Sequence, residues 1–170
     1  MGVKSRGRTV LAHEAPVVSL ACTSETFVPA PDPRVRWLDR DVDFVLAREA
    51  WGSKGMRIAR SDWQDWHRQV FRYCGIVEDQ RLVAVAAVWT YSPTAWELAA
   101  VQTREGYRSR GCSKAVCSFL TAYILRHGRI ATCSTRIDNV PMLRIASKLR
   151  FRPAMNNSPH LYARLSASPH

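Results

Sequence analysis

Val101-Gln102-Thr103-Arg104-Glu105-Gly106-Tyr107-Arg108-Ser109-Arg110-Gly111-Cys112-Ser113 leads from a strand pattern into a helix pattern through a run that is both glycine-marked and strongly basic. The first turn of a helix leaves backbone N–H groups without intrahelical partners, and the helix dipole adds partial positive charge at the same end. Glycine removes the side chain that would hold an anion away, so this junction reads as a phosphate cradle. Arg108 and Arg110 add full charges beside it.

The flanking sequence supplies the frame. Residues 95 to 103 form one strand pattern, and residues 81 to 89 another whose LVAVAAVW run is apolar on both faces, as in a central strand. Glu78-Asp79-Gln80 turns that strand back on residues 74 to 77 as a hairpin. Further upstream a helix is expected from Asp39 or Asp41, with Val42, Val45 and Leu46 on its apolar face, Trp51 closing it and Gly52 as a left-handed terminator. A second is expected from Ser61, carrying Trp63, Trp66 and Val70 in one stripe. Core packing and the wall of a binding site both fit these tryptophans. Residues 1–15 are read as a flexible segment and residues 16–170 as a single domain, with a strand at residues 16 to 20 and a loop at Pro29, Pro31 and Pro33. Downstream of the cradle come a helix over residues 113 to 127 stopped by Gly128 and a β-rich run at residues 130 to 137. Asp138-Asn139 then caps a helix with Pro141 in its first turn, and two closing strands follow, one from Phe151 and one at residues 161 to 165.

Composition narrows the partners. A chain of 170 residues with 46% apolar content suits one globular domain, which buries about 70% of its unfolded surface. The net charge is +11, and residues 104 to 152 hold eleven Arg or Lys against Glu105 and Asp138, so +9 of it lies around the cradle. Such a field suits a polyanionic ligand, nucleic acid or an acidic surface, and charge alone does not choose. Cys22, Cys74, Cys112, Cys117 and Cys133 make no C-x-x-C pair and no set with His at metal spacing, and an odd count does not suit a disulfide framework. Reduced thiols, no metal and a cytoplasmic location are expected. No apolar run approaches the ~20 residues of a membrane span, so no membrane partner is expected. His13, Glu14 and Pro16 interrupt the weakly apolar patch that would otherwise outline an export leader, and Met1-Gly2 lacks the downstream Ser or Thr of a myristoylation pattern. Cys112, at a helix N-terminus, is a candidate reactive thiol as well as a small core residue. His67 and His127 are read as exposed helix residues.

Three pieces in register carry a resemblance. Glu97 to Thr103 runs out through Val101-Gln102-Thr103 into Tyr107-Arg108-Ser109-Arg110-Gly111-Cys112-Ser113; Asn139 opens the last helix; Lys148-Leu149-Arg150-Phe151 follows it. Together they resemble the GNAT superfamily of acetyl-CoA-dependent N-acetyltransferases, over about residues 72 to 153. The strand is similar to the family's Val-x-Thr exit, the loop to its Gln/Arg-x-x-Gly-x-Gly/Ala pattern with Ser113 in the last place, and the ending to Lys-Leu-Gly-Phe. The resemblance implies an α+β fold with a mixed, mostly antiparallel, twisted sheet of six to seven strands flanked by about four helices. It implies acetyl transfer from acetyl-CoA to an amine by direct attack in a ternary complex. The pyrophosphate would lie on backbone N–H groups of Arg108, Ser109, Arg110, Gly111, Cys112 and Ser113, and the acetyl carbonyl on main-chain donors near Val101, Gln102 and Thr103. Asn139 would reach the pantetheine arm, and its other reading is a helix N-cap.

Glu97 is the candidate general base. A carboxylate among Trp96, Leu98 and Ala99 is expected to be partly desolvated, which raises its pKa toward the range useful for deprotonating an ammonium. Strand alternation puts it on one face with Ala99 and Val101. Its other reading is an edge carboxylate paired with an arginine.

The family's leaving-group tyrosine in the last helix is replaced by Ala146. Ser147 faces about 100° away around a helix, which leaves Tyr162, water or no proton donor at all. The acceptor is expected to be a small amine sooner than a protein, with an aminoacylated RNA also fitting the charge, on a monomer or homodimer. Polycationic acceptors would need an acidic cleft, for which Asp39, Asp41, Asp43, Glu49, Asp62 and Asp65 are the candidates. The rival readings are a CoA-binding protein without turnover and a basic RNA-binding module. The second is disfavoured because the tryptophans follow core periodicity instead of interleaving with arginine.

Overall fold

A computed structural model of the chain describes residues 15–69 and 71–154. The elements run β1 (Val17–Cys22), β2 (Val35–Trp37), α1 (Phe44–Gly52), α2 (Arg60–Gln69), β3 (Phe71–Glu78), β4 (Arg81–Trp89), β5 (Ala95–Thr103), a 3-10 turn (Glu105–Tyr107), α3 (Cys112–Arg126), β6 (Ile130–Arg136), α4 (Val140–Lys148) and β7 (Arg152–Pro153). The strands make one seven-stranded sheet in the order β2-β3-β4-β5-β6-β1-β7. Among the described strands only β5 and β6 pair in parallel, with α3 as the crossover between them.

Local chemistry accounts for most boundaries. The β3–β4 turn is two residues long, with Asp79 (φ 48°) and Gln80 (φ 59°) both left-handed, the conformation whose twist matches a two-residue hairpin. Residues Leu82 to Val88 of β4 are buried without a break, since helices cover both faces of that strand. In β3, Gly75 admits close backbone approach: a Cβ there would stand 2.5 Å from Leu82 Cδ1 and 2.7 Å from the Ala84 carbonyl oxygen. Asn139 caps α4 by accepting from the Met142 N–H at 3.3 Å, and Pro141 follows in the first turn, where no amide donor is needed.

Two cores lie on opposite faces of the sheet. One holds Val116, Leu120 and Ile124 of α3 and Met142 and Ala146 of α4 against β1, β4 and β6. The other holds Phe44, Ala47 and Trp51 of α1 and Trp63 of α2 against Tyr73, Val85 and Ala87. Trp51 and Trp63 are thus core residues, and Trp63 Nε1 donates to the Arg40 carbonyl at 2.8 Å. Trp66 is half-buried beside them.

Several local expectations are corrected. β2 follows the proline loop and was not expected; only three residues long, it carries no periodicity to detect. α1 turns Phe44, Ala47 and Trp51 inward, while Val42 and Val45 are 78% and 54% exposed. The i, i+3, i+7 set of Phe44, Ala47 and Trp51 competed with Val42, Val45 and Leu46, and the larger aromatic area won. Gly55 (φ 78°), not Gly52, takes the left-handed conformation after α1. His67 is half-buried rather than exposed, its ring 4.3 Å from Trp63, and burial depresses its pKa. The closing strand expected at residues 161 to 165, the Val70 position and the segment before Ala15 lie outside the described residues.

β2 matters because it anchors α1. Arg36 donates to Asp43 through both terminal nitrogens, at 2.7 and 2.8 Å, and the Asp39 N–H donates to the same carboxylate at 2.7 Å. Asp43 is only 3% exposed, and the Arg36 guanidinium holds its pKa below the ordinary aspartate value. A carboxylate with a depressed folded-state pKa stabilises fully above its unfolded pKa, and that contribution is lost as pH falls through the folded value. Asp43→Asn is therefore expected to cost about 2 kcal/mol near pH 7. The gap between variant and wild type should narrow as pH falls below the ordinary aspartate range and through the depressed native value. Urea melts of both proteins at pH 7 and pH 3 measure it.

Candidate functional site

β5 pairs with β6 only from Ala95↔Ile130 to Leu98↔Cys133. Beyond that point β5 stays with β4 as far as Thr103, while β6 stays with β1 as far as Arg136, and the two strands part. At the same level β5 bulges: between Val85↔Gln102 and Ala87↔Ala99, Ala100 and Val101 lie opposite the single residue Ala86, and Ala100 takes a φ of 51°. Left-handed backbone in a non-glycine strand residue is strained and marks a constrained position.

The bulge also changes which way the strand faces. Trp96 and Leu98 belong to the α3 side of the sheet and Ala99 to the α1 side, yet Val101 is again on the α3 side. Glu97 therefore shares a face with Ala99 as expected, but Val101 is turned to the opposite layer. Period-2 alternation holds only up to the bulge.

Where the strands part, a cleft of about 1080 Å³ opens. The Thr103 and Ser113 hydroxyls hydrogen-bond each other and pin the end of β5 to the start of α3. Asn139 Nδ2 donates to Thr135 Oγ1 at 3.0 Å and pins the end of β6 to the start of α4 in the same manner. Residues 111 to 114 and Asn139, Pro141 and Met142 all line the cleft, so two helix N-termini converge on it. Their dipoles favour a negatively charged occupant. The loop before α3 turns through Ser109 (φ 62°) and Gly111 (φ 82°), the latter at the N-cap, where a left-handed residue costs glycine nothing.

Of the expected ligand residues, Val101, Gln102, Thr103, Arg108, Ser109, Gly111, Cys112, Ser113 and Asn139 line this cleft, and so does Glu97. Arg110 does not; its guanidinium lies over the Tyr107 ring at 5.0 Å. Arg104 is taken up by Glu49 of α1. Asn139 is the cap of α4, and it also lines the cleft. The cations Lys54, Lys114, Arg144 and Lys148 also line it and were missed as site residues. Arg144 and Lys148 stand at i, i+4 with Pro141 and Ile145 on the cleft side of α4, a stripe legible in the sequence once the helix is known to face a ligand.

The acidic cluster on the α1 side serves structure instead. Asp43 pairs with Arg36, Asp41 with Arg40, Asp65 with Arg68 and Glu49 with Arg104. Asp39 accepts from the Asp41 and Val42 N–H groups, and Asp62 from Ala59 N–H. Among the described residues that line the cleft Glu97 is the single carboxylate, half-buried on β5. Ala146 is buried in the core and Ser147 is exposed, and neither lines the cleft. Tyr162 lies outside the described residues.

A sheet that splays between two parallel neighbours, with a bulged strand on one side and two helix N-termini on the other, is the GNAT architecture. Solved structures agree. The chain is similar to a GNAT-family protein from Novosphingobium aromaticivorans at 20% identity and a TM-score of 0.68, over 82% of this chain and 60% of that one. For a GNAT-family acetyltransferase from Colwellia psychrerythraea the values are 15%, 0.66, 83% and 53%. For a Trypanosoma brucei acetyltransferase they are 16%, 0.58, 73% and 95%. At these identities the likeness is one of fold, and the chain spans just over half the length of the first two. The model of the FR47-like protein family matches residues 73–165, more than half of the chain, and the chain belongs to that family within the GNAT superfamily. No curated protein sequence matches it.

All five cysteines are buried, including Cys112, whose side chain packs in the α3 core. Burial pushes the Cys74 thiol well above its ordinary value and Cys133 up to about 12, with the Glu97 charge adding to the latter. A disulfide reagent such as Ellman's is accordingly expected to titrate no thiol in the native protein at pH 8 and all five after unfolding. Rapid native labelling of Cys112 would restore it as a reactive group.

Proposed function

We propose that the chain is an N-acetyltransferase that uses acetyl-CoA as cosubstrate and acetylates a small amine by direct attack in a ternary complex. The observation that carries this is the cleft between β5 and β6, lined among the described residues by five cations, Lys54, Arg108, Lys114, Arg144 and Lys148, against the one carboxylate Glu97. Phosphates of CoA suit the cationic end and the two helix N-termini; backbone of Gly111 to Ser113 and of Arg108 would hold the pyrophosphate. Main-chain donors of the bulged stretch of β5, from Ala99 to Gln102, would polarise the thioester carbonyl. Asn139, already fixed by Thr135, would meet the pantetheine arm.

In the reaction, Glu97 takes a proton from the bound ammonium, directly or through water, and the neutral nitrogen attacks the thioester carbon. The C–N bond forms, the C–S bond breaks, and the thiolate of CoA leaves. α4 presents no hydroxyl to the cleft, and in this reading the thiolate takes its proton from water, as a leaving group with a pKa near that of an ordinary thiol can. The charge field favours acceptors of low positive charge over polycations.

Acetyl-CoA at a hundredfold excess over its Kd should stabilise the protein by about 2.7 kcal/mol, read as a rise in melting temperature. An unchanged melting temperature at millimolar acetyl-CoA counts against the proposal. With an amine acceptor, Glu97→Gln is expected to lower kcat about a hundredfold or more while leaving the acetyl-CoA shift intact. Full activity in that variant removes Glu97 as base.

A further inference from the structure

Glu97 does not stand alone on its face of the sheet. Phe71 of β3, Trp89 of β4, Glu97 of β5 and Thr132 of β6 are direct cross-strand partners in one row. Direct partners share a face, so two aromatic side chains, the carboxylate and a hydroxyl line up across four strands. The Phe71 and Trp89 rings are stacked at 6.0 Å, and the Tyr91 ring continues the series at 5.1 Å from Trp89. Tyr91 follows β4, yet its hydroxyl reaches Thr132 Oγ1 on β6 at 3.3 Å, which carries the phenol across β5 at the level of Glu97. Tyr91 is 42% exposed and Trp89 half-buried. The α1–α2 core covers β3 and β4 and reaches β5 only at Ala99, so among the described residues no helix covers the Trp89–Glu97–Thr132 end of the row.

Resting on the acetyltransferase reading, we infer that this row is the acceptor subsite and that it selects a primary monoamine with a flat apolar body, such as an arylalkylamine. Ring faces within about 6 Å attract an ammonium and bury apolar area beside it. Glu97 then meets the charge that the rings have drawn in, and takes its proton. Among the described residues of the cleft a polyamine meets one carboxylate, with Lys54, Arg108, Lys114, Arg144 and Lys148 repelling its remaining charges. A short hydrophilic amine gains nothing from the rings.

Calorimetric titration of 2-phenylethylamine, spermidine and ethanolamine into the full chain, with and without CoA, tests the assignment. The aromatic amine is expected to bind at least tenfold more tightly than either of the others. Trp89→Ala and Tyr91→Ala should each weaken it at least fivefold while leaving the melting shift with acetyl-CoA unchanged; Tyr91, in an exposed loop, keeps the test open should the Trp89 variant fold poorly. Equal or tighter binding of spermidine or ethanolamine, no binding of any amine, or wild-type affinity in the folded variants overturns the inference. Loss of the acetyl-CoA shift in the wild-type protein overturns the underlying reading instead, so the two failures are distinguishable.

Discussion

β5 cannot remain hydrogen-bonded to both neighbours along its whole length, and the rest of the site depends on that constraint. The bulge at Ala100 and Val101 re-aims the strand just after its last pair with β6, Leu98↔Cys133. Backbone that would have closed a continuous sheet instead lines a cleft. The strain of a left-handed alanine is held in place by β4 on one side and by the Thr103–Ser113 bond beyond it.

The two strand ends that part are each tied to the helix that follows, through Thr103–Ser113 and Thr135–Asn139. These bonds fix helix orientation as well as strand position, so the two N-terminal dipoles and the surrounding cations act on the same volume. The electrostatic asymmetry is spatial rather than merely compositional. Acidic side chains on the α1 side are consumed in ion pairs and caps that dock α1 and α2, and the pairing of Arg104 with Glu49 joins that layer to the end of β5. The cleft, among the described residues, is lined by five cations and one carboxylate.

Much of this was legible residue by residue. The glycine-marked helix start at Gly111, the cap at Asn139, the continuous apolar run of β4 and the alanine at position 146 are local features, and local chemistry decides them. The misreadings share a cause as well. Val42 and Val45 offered a plausible helix face, but Phe44 and Trp51 offered more area to bury, and only the partner layer could choose between them. β2 is too short to show a period and exists because β3 presents an edge to it and Asp43 holds Arg36. Arg110 looked equivalent to Arg108 in sequence, yet one lines the cleft and the other lies over Tyr107.

The sequence by itself determined the order of the longer elements, the glycine-marked helix start, the excess of positive charge and the family resemblance, because each rests on neighbours along the chain. Only the tertiary structure decided that alternation breaks at Ala100, turning Val101 away from the face of Glu97, since a bulge is defined by what the partner strand does. It alone brought Lys54, Arg144 and Lys148 to the cleft and placed Phe71, Trp89, Glu97 and Thr132 in one row. Those residues are far apart along the chain, and hydrogen-bond register across the sheet is the physical agent that makes them neighbours.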